Sequence, residues 1–530
     1  MKKYSPSILL MIHTSPVMSI KLTSEQIANL TAIEAAEMIK SGSLSSERLV
    51  KEFIRRARKF KNLNAFITLD EQNALSQAKE ADMKVKNKGK LGKLHGVPLV
   101  VKDNIDVKGM PTTAGTPALL NHYPQYNAPV IDELIKEGAI ILGKTNMHEL
   151  AFGITSKNGY FGPVRNPYNP ELFPGGSSGG TAAAISARLA PAGLGTDTGG
   201  SVRIPSALTG IYGFRPSKDR YSRKGIVPIS KTKDTAGPMA RSIMDLILLD
   251  SIIVGESPQY QPKDLKKIRL GIPRYSFYSN LDRETEKIVQ EALDELTQNG
   301  VELIEANIPD VDTMDRAVDF PIALYEVRRA LPEYLKSCNV SLCEVIEKIS
   351  SPDVKYLFNT FITGKDAISE KAHQDAIRIY RPAMEKAYSD YFKKHMVDGI
   401  IFPTTPAPAR PIKTSDETVD INGKQVPTFT TYLKNTSPGS DVGIPGLTLP
   451  IGLTSEGLPV GIEIDGPIHS DREILQIGLA LEKVFGHIRA PEKLTIAKSM
   501  EMSFLSHALL RRSDAYEEHG DVFFCCMPFT

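Results

Sequence analysis

Cysteine is scarce: the chain of 530 residues has four, Cys338, Cys343, Cys525 and Cys526. Their spacing makes neither two metal-ligand pairs nor a disulfide framework, and so few thiols in so long a chain point to a reducing compartment. Long apolar runs are missing too. No stretch of about 18 apolar residues occurs, so no membrane-spanning helix is indicated. Net charge is +2 and no extended basic run is present. That removes the electrostatic footprint of a nucleic-acid or anionic-membrane partner. There is no internal repeat. The N-terminal MKKYSPSILLMIHTSPVMS carries two lysines. Its apolar patch, Ile8 to Ile12, falls short of the ~7–15 residues of a secretory core. Residues 1–24 therefore read as a flexible leader rather than an export signal, and the chain reads as cytoplasmic.

What is present is an ordinary globular composition, 41% apolar and 24% charged, sufficient for a large core. At ~100–200 residues per domain the length would allow three domains. No linker cuts the chain convincingly, however. Residues 25–490 read as one catalytic domain, with 310–440 as a more helical, less regular region over a site, and 491–530 as an appendage. Helices are predicted over Thr31–Lys40, where Thr31 and Glu34 have capping-box spacing, and over Ser45–Phe60, where Leu49, Phe53, Ala57 and Phe60 recur at helical period. Val97–Val101, Ala139–Leu142, Ile268–Ile272, Val301–Ile304, Ile400–Phe402, Leu447–Leu453 and Val460–Ile464 read as strands. Helices over Pro129–Glu137, Glu284–Gln298, Ala383–His395 and Asp471–Phe485 fall among them. This alternation predicts an α/β fold: a large, mixed, mostly parallel central sheet with helices on both faces.

Two glycine turns carrying serine stand close together, PGGSSGGTAAAISA from Pro174 and GLGTDTGGSVRIPS from Gly193. Composition alone makes the first a flexible loop as readily as anything else. Against that, it runs directly into a good helix-forming stretch, and N–H groups at a helix start are free to bind an oxygen. A phosphate-binding loop needs a lysine after its last glycine, and here Thr181 follows Gly180. A nucleophile elbow needs a strand immediately before it, whereas RNPYNPELFP is too rich in proline and asparagine for a central strand. A fourth reading takes both turns together. Thr198, Gly199, Gly200 and Ser201 offer consecutive N–H groups beside a hydroxyl, a nest able to hold a developing oxyanion. A serine hydroxyl needs a base to become a nucleophile, and no histidine lies near either turn. A lysine remains as the base. Lys102 follows five apolar residues, so desolvation would strip its charge. Lys144 follows AIILG in the same way, and spacing does not choose between the two.

Taken together, VVKDNI (Val100–Ile105), GKTNMHELAFG (Gly143–Gly153), PGGSSGGTAAA (Pro174–Ala184), GLGTDTGGSVRIPSALTGIYGFRPS (Gly193–Ser217) and the late GIPGLTLPIG and GLPVGIEIDG resemble the amidase signature family of serine hydrolases, across roughly residues 25–490. The resemblance implies a catalytic Ser–cis-Ser–Lys triad. Lys102 matches the base, Ser177 the bridging serine after a cis Gly176–Ser177 bond, and Ser201 the nucleophile. The N–H groups of Thr198, Gly199, Gly200 and Ser201 match the oxyanion hole. Ser178 matches a supporting hydroxyl, and Asp197 and Arg203 a structural ion pair around the nucleophile. It implies amide hydrolysis through an acyl-enzyme with no metal or organic cofactor. The partner is a small-molecule amide, with no nucleic acid and no membrane; a homodimer is compatible with it.

Within the family, LAPAGLGTDTGGSVRIPSALTGIYGFRPS, GIVPISKTKDTAGPMARS and NTSPGSDVGIPGLTLPIGLTSEGLPVGIEIDGP are most similar to amidases of aryl-acetamides, such as indoleacetamide and mandelamide hydrolases. The alternatives are an amidotransferase A subunit that releases ammonia from glutamine for tRNA-linked transamidation, and a catalytically idle ligand-binding scaffold. PIALYEVRRALPEYL and YLFNTFITG, in the 310–440 region, have the side chains either to line an apolar pocket or simply to pack a core.

Overall fold

The computed structural model describes residues 22–258 and 260–491. The leader before Leu22 and the appendage after Pro491, with Cys525 and Cys526, lie outside the described residues. Thr23 and Ser24, read as the end of the leader, already belong to folded chain: Thr23 caps the helix Ser24–Asn29 through a capping box. The next two helices form where periodicity places them. Thr31 and Glu34 close a capping box on Ala32–Lys40. Ser45 caps Ser46–Lys59, which buries Leu49, Val50, Phe53, Ile54 and Ala57 on one face.

The centre of the molecule is an eleven-stranded sheet. Its strands are β1 (Phe66–Leu69), β2 (Pro98–Lys102), β3 (Ile140–Thr145), β4 (Ala192–Asp197), β5 (Tyr212–Arg215), β6 (Thr235–Ala240), β7 (Arg269–Ile272), β8 (Glu302–Glu305), β9 (Gly399–Pro403), β10 (Gly446–Leu453) and β11 (Pro459–Asp465). In space they run β1-β3-β2-β4-β6-β5-β10-β11-β9-β7-β8. The sheet is mixed, but its expected parallel majority is not found. Parallel pairing is confined to two wings, β3-β2-β4 and β9-β7-β8. Every other neighbouring pair is antiparallel. For β10 and β11 the reason is connection length. A parallel pair needs a long crossover, whereas β10 and β11 are joined by a tight turn closed by Thr454 N–H donating to the Leu458 carbonyl at 2.8 Å.

Helices cover both faces, and the pleat of β10 shows it. Leu447 points at the helix Asp471–Phe485, where a Cβ on Gly478 would lie 2.4 Å from its Cδ2. The next residue, Thr448, faces the other way: a Cβ on Gly461 would lie 3.3 Å from its Cγ2 and 2.6 Å from Ala207 Cβ of the helix Arg203–Thr209. Among the described residues, no helix is long and apolar enough to cross a membrane.

Candidate active site

β2 and β4 are parallel neighbours, paired Val101 with Leu194, so both end at the same edge of the sheet. β2 ends on Lys102 and β4 on Asp197. That edge, beyond the carboxyl ends of parallel strands, is where α/β sheets build their sites. The first glycine turn enters the same place. Ser156 Oγ donates to the Gly175 carbonyl at 2.8 Å and accepts from Gly179 N–H at 3.1 Å, which holds both ends of the turn. The Gly176–Ser177 peptide bond is cis. His148 N–H donates to the Ser177 carbonyl at 3.1 Å. Beyond the turn, the helix Gly179–Ser186 is buried along its whole length.

Lys102 is fully buried, and its Nζ donates to Ser177 Oγ at 2.8 Å and to Thr196 Oγ1 at 2.7 Å. Asn104 Nδ2 donates to the same threonine oxygen at 3.0 Å. Among the described residues no carboxylate contacts the amine. Burial lowers its pKa to about 7, against the weaker opposing pull of Asp197 and Asp234. Lys144, equally buried, is in a different position: its Nζ lies 3.1 Å from Asp103 Oδ1 and also donates to Thr112 Oγ1 and the Pro111 carbonyl. One buried lysine is thus held as half of an ion pair. The other has only neutral partners, two hydroxyls and the Thr196 carbonyl.

The second turn connects β4 to the helix Arg203–Thr209. Its carbonyls are turned away from the site by named partners. Thr436 Oγ1 donates to the Gly199 carbonyl at 2.6 Å, Ile204 N–H to the Gly200 carbonyl at 2.8 Å, and Ser178 N–H to the Ser201 carbonyl at 3.2 Å. In a trans peptide the N–H points opposite to the C=O. The Gly200 and Ser201 N–H groups therefore point to the other side. Within the described residues, no hydrogen bond is found from the backbone N–H of Thr198, Gly199, Gly200 or Ser201. Four neighbouring donors without a partner thus stand beside a half-buried serine, an arrangement chemically able to hold an anionic oxygen. Gly200 is required here twice over: its φ is +143°, and a Cβ would lie 2.1 Å from Thr436 Oγ1.

Asp197 anchors the turn from below. Its carboxylate accepts from Val202 N–H and Arg203 Nε at 3.1 Å each and from Arg215 Nη1 at 2.9 Å. Burial alone would raise its pKa, but the two guanidiniums hold it well below the usual carboxylate range. Arg203 reaches on to Glu463 Oε1 at 2.5 Å and Ser440 Oγ at 2.6 Å, tying β4 to β11. Thr198 Oγ1 donates to Asp234 at 2.7 Å.

All the residues singled out from the sequence meet at this edge. Ser178 Oγ donates to the Thr196 carbonyl at 3.2 Å, a supporting contact between the two turns. One link is open: among the described residues the Ser201 hydroxyl has no hydrogen-bond partner. Hydrogen bonds in an unliganded site are often long and tighten when substrate binds. Sequence reasoning missed Thr196, Asn104, Asp234 and Thr436. All four lie inside the motif stretches, but nothing in a linear pattern says that the Thr436 hydroxyl meets the Gly199 carbonyl. No group of three or more His, Cys, Asp or Glu side chains among the described residues is arranged to hold a metal ion.

Known proteins resemble this chain along most of its length. The family model described as Amidase matches residues 48–475. An indoleacetamide hydrolase of Rhizobium radiobacter is 42% identical over 463 residues, covering 87% of this chain and 98% of that protein. A mandelamide hydrolase of Pseudomonas putida is 41% identical over 495 residues, covering 90% and 96%. A solved amidase structure superposes with a TM-score of 0.78 at 34% identity, covering 86% of this chain and all of that one.

Proposed function

Since this chain belongs to the amidase family and is a hydrolase of amides, we propose that it hydrolyses a small aryl-acetamide, of the indoleacetamide or mandelamide kind, through an acyl-enzyme on Ser201. Residues 25–490 act in this reading as one catalytic domain, because a single sheet takes strands from Phe66–Leu69 through to Pro459–Asp465. The observation that carries the mechanism is the setting of Lys102: a buried amine without a carboxylate, 2.8 Å from the Ser177 hydroxyl, at the edge that also presents four free N–H groups.

Neutral Lys102 draws a proton from Ser177 as Ser177 takes one from Ser201. Ser201 Oγ attacks the carboxamide carbon, and the carbonyl oxygen, now negative, accepts hydrogen bonds from the 198–201 turn. The proton returns through Ser177 to the leaving nitrogen, the C–N bond breaks, and ammonia departs. Water then attacks the acyl ester by the same relay, releasing the carboxylic acid and restoring Ser201. Asp197, Arg203 and Ser178 hold the turn in shape without touching the reacting atoms. The aryl-acetamide assignment is supported by the identity to the two hydrolases named above, spread along 87% and 90% of the chain.

The test uses the full chain alone with indoleacetamide, mandelamide, phenylacetamide and glutamine, reading ammonia release. Preference for the aryl-acetamides is expected. Hydroxylamine added during turnover should divert the product to a hydroxamate if an acyl-enzyme forms. Labelling by a fluorophosphonate should fall on Ser201 and vanish in Ser201→Ala. Ammonia from glutamine alone would instead favour the amidotransferase reading, and no turnover or labelling of folded protein would favour the idle scaffold.

A further inference from the structure

The oxyanion turn has an apolar neighbour: a Cβ placed on Gly199 would lie 3.1 Å from Leu433 Cδ1. Leu433 ends the helix Thr428–Leu433, and Phe429 stands four residues earlier on that helix, on the same face. The Phe429 ring stacks on Phe320, with centroids 6.0 Å apart and planes at 23°. Phe320 comes from a distant element, the helix Val311–Leu335. That helix is fastened to a loop that also contacts the turn. Asp319 pairs with buried Lys233, and Glu326 accepts from Ser230 Oγ at 2.6 Å and from Thr232 N–H at 3.0 Å. This same loop supplies Asp234, the carboxylate that holds the Thr198 hydroxyl. The two rings therefore connect to the turn by two routes, one through Leu433 and one through the 230–234 loop.

The pair also joins two apolar clusters. Phe320 packs on the cluster containing Phe152, Val227 and Ile229, and Phe429 on the one containing Ile154, Ile204 and Leu433. The rings of Phe152, Phe173, Phe358 and Tyr432, in the same clusters, are buried. Phe320 and Phe429 are only half buried and keep apolar surface exposed. Two nearly parallel rings with free surface offer a third ring an offset or edge-on contact. A short alkyl chain cannot make that contact.

We propose that Phe320 and Phe429 form the wall that receives the aryl group of the substrate and sets the preference for aryl over alkyl amides, an inference that rests on amide hydrolysis at Ser201. The acyl chain would run from the Ser201 carbon past Leu433 to the ring pair. Phe320→Ala and Phe429→Ala are each expected to lower kcat/KM for phenylacetamide about 10-fold more than for acetamide, mainly through KM, the size expected for a lost apolar contact in a specificity pocket. Phe429→Tyr, which keeps the ring, should restore the preference. Phe429→Leu, which keeps apolar bulk without the ring and guards against collapse of the site, should lose part of it. Titration of phenylacetamide into Ser201→Ala, with and without Phe429→Ala, reads the same contact as affinity, free of turnover. An unchanged phenylacetamide-to-acetamide ratio in Phe320→Ala, Phe429→Ala and Phe429→Leu overturns the inference while leaving amide hydrolysis standing. A wild-type chain that hydrolyses neither amide overturns the reading beneath it.

Discussion

Replacing Lys102 by methionine keeps an unbranched, buried side chain and removes only the amine. The wild-type amine is fully buried, and burial lowers its pKa from 10.5 to about 7. In the unfolded chain it titrates at its ordinary value. Between those values the unfolded state holds a proton that the folded state has shed, so wild-type unfolding free energy rises with pH across that window. At 1.36 kcal/mol per pH unit, the buried amine costs the fold about 4 kcal/mol at pH 7 and about 2 kcal/mol at pH 9. Methionine does not titrate and carries neither cost. Against this gain stand the hydrogen bonds to Ser177 and Thr196, whose loss costs about 1–3 kcal/mol at any pH in this range. Lys102→Met is therefore expected to be more stable than wild type at pH 7, with an advantage about 2 kcal/mol smaller at pH 9. Urea unfolding of both proteins at pH 7, 8 and 9 measures it. Amide hydrolysis by the variant should fall about 10²–10⁴-fold, the usual contribution of a general base. A stability difference that stays constant from pH 7 to 9, or turnover close to wild type, would refute the assignment of Lys102 as a neutral buried base.

Lys144→Met should have the opposite sign: it strands the Asp103 carboxylate in the core and is expected to cost about 3–5 kcal/mol in the same unfolding assay. Gly200→Ala puts a methyl 2.1 Å from Thr436 Oγ1 at a φ of +143°. Displacing the donors of the turn in this way should lower kcat about 10²–10³-fold, measured as ammonia release at saturating amide. Wild-type kcat/KM should fall about tenfold per unit as pH drops below about 7, because the protonated amine cannot accept a proton. A profile flat from pH 8 down to pH 5 would contradict this.

The outer layers of the fold were legible because their signals are local. Ser46–Lys59 and Asp471–Phe485 show apolar residues at helical period beneath polar starts, and β2 shows a continuous apolar run ending in Lys102. The middle of the sheet was not legible. AGLGTD, YGFR and TAGPMA form β4, β5 and β6, yet none stands among the predicted strands, and AGLGTD overlaps the second glycine turn. In β4 packing demands a small residue: a Cβ on Gly195 would lie 2.7 Å from Ser178 Oγ and 2.9 Å from Met239 Sδ. The backbone of β4 comes so close to the catalytic turn that the residues giving strands their usual pattern are excluded. Ile243–Val254 was missed for a related reason, since a helix apolar on every side has no stripe to detect. As for the site, the motifs named residues that the fold brings to one edge, but the difference between Lys102 and Lys144 rests on the Asp103 carboxylate, a contact created only when β2 and β3 lie side by side.

The Thr436 hydroxyl fixes the peptide that aims the Gly200 N–H, and it lies 237 residues beyond the glycine it binds. Arg203 likewise waits for Glu463, 260 residues downstream. A growing chain thus holds Lys102, Ser177 and Ser201 well before the halfway point of translation, yet lacks the clamp and the strand that shape the turn around them. Hydrolytic power should arrive late and all at once, as the last strands join the sheet. A fragment ending near residue 400 is expected to be inert despite its full set of reactive side chains, and ammonia release by such a fragment would show that the distant clamp is dispensable.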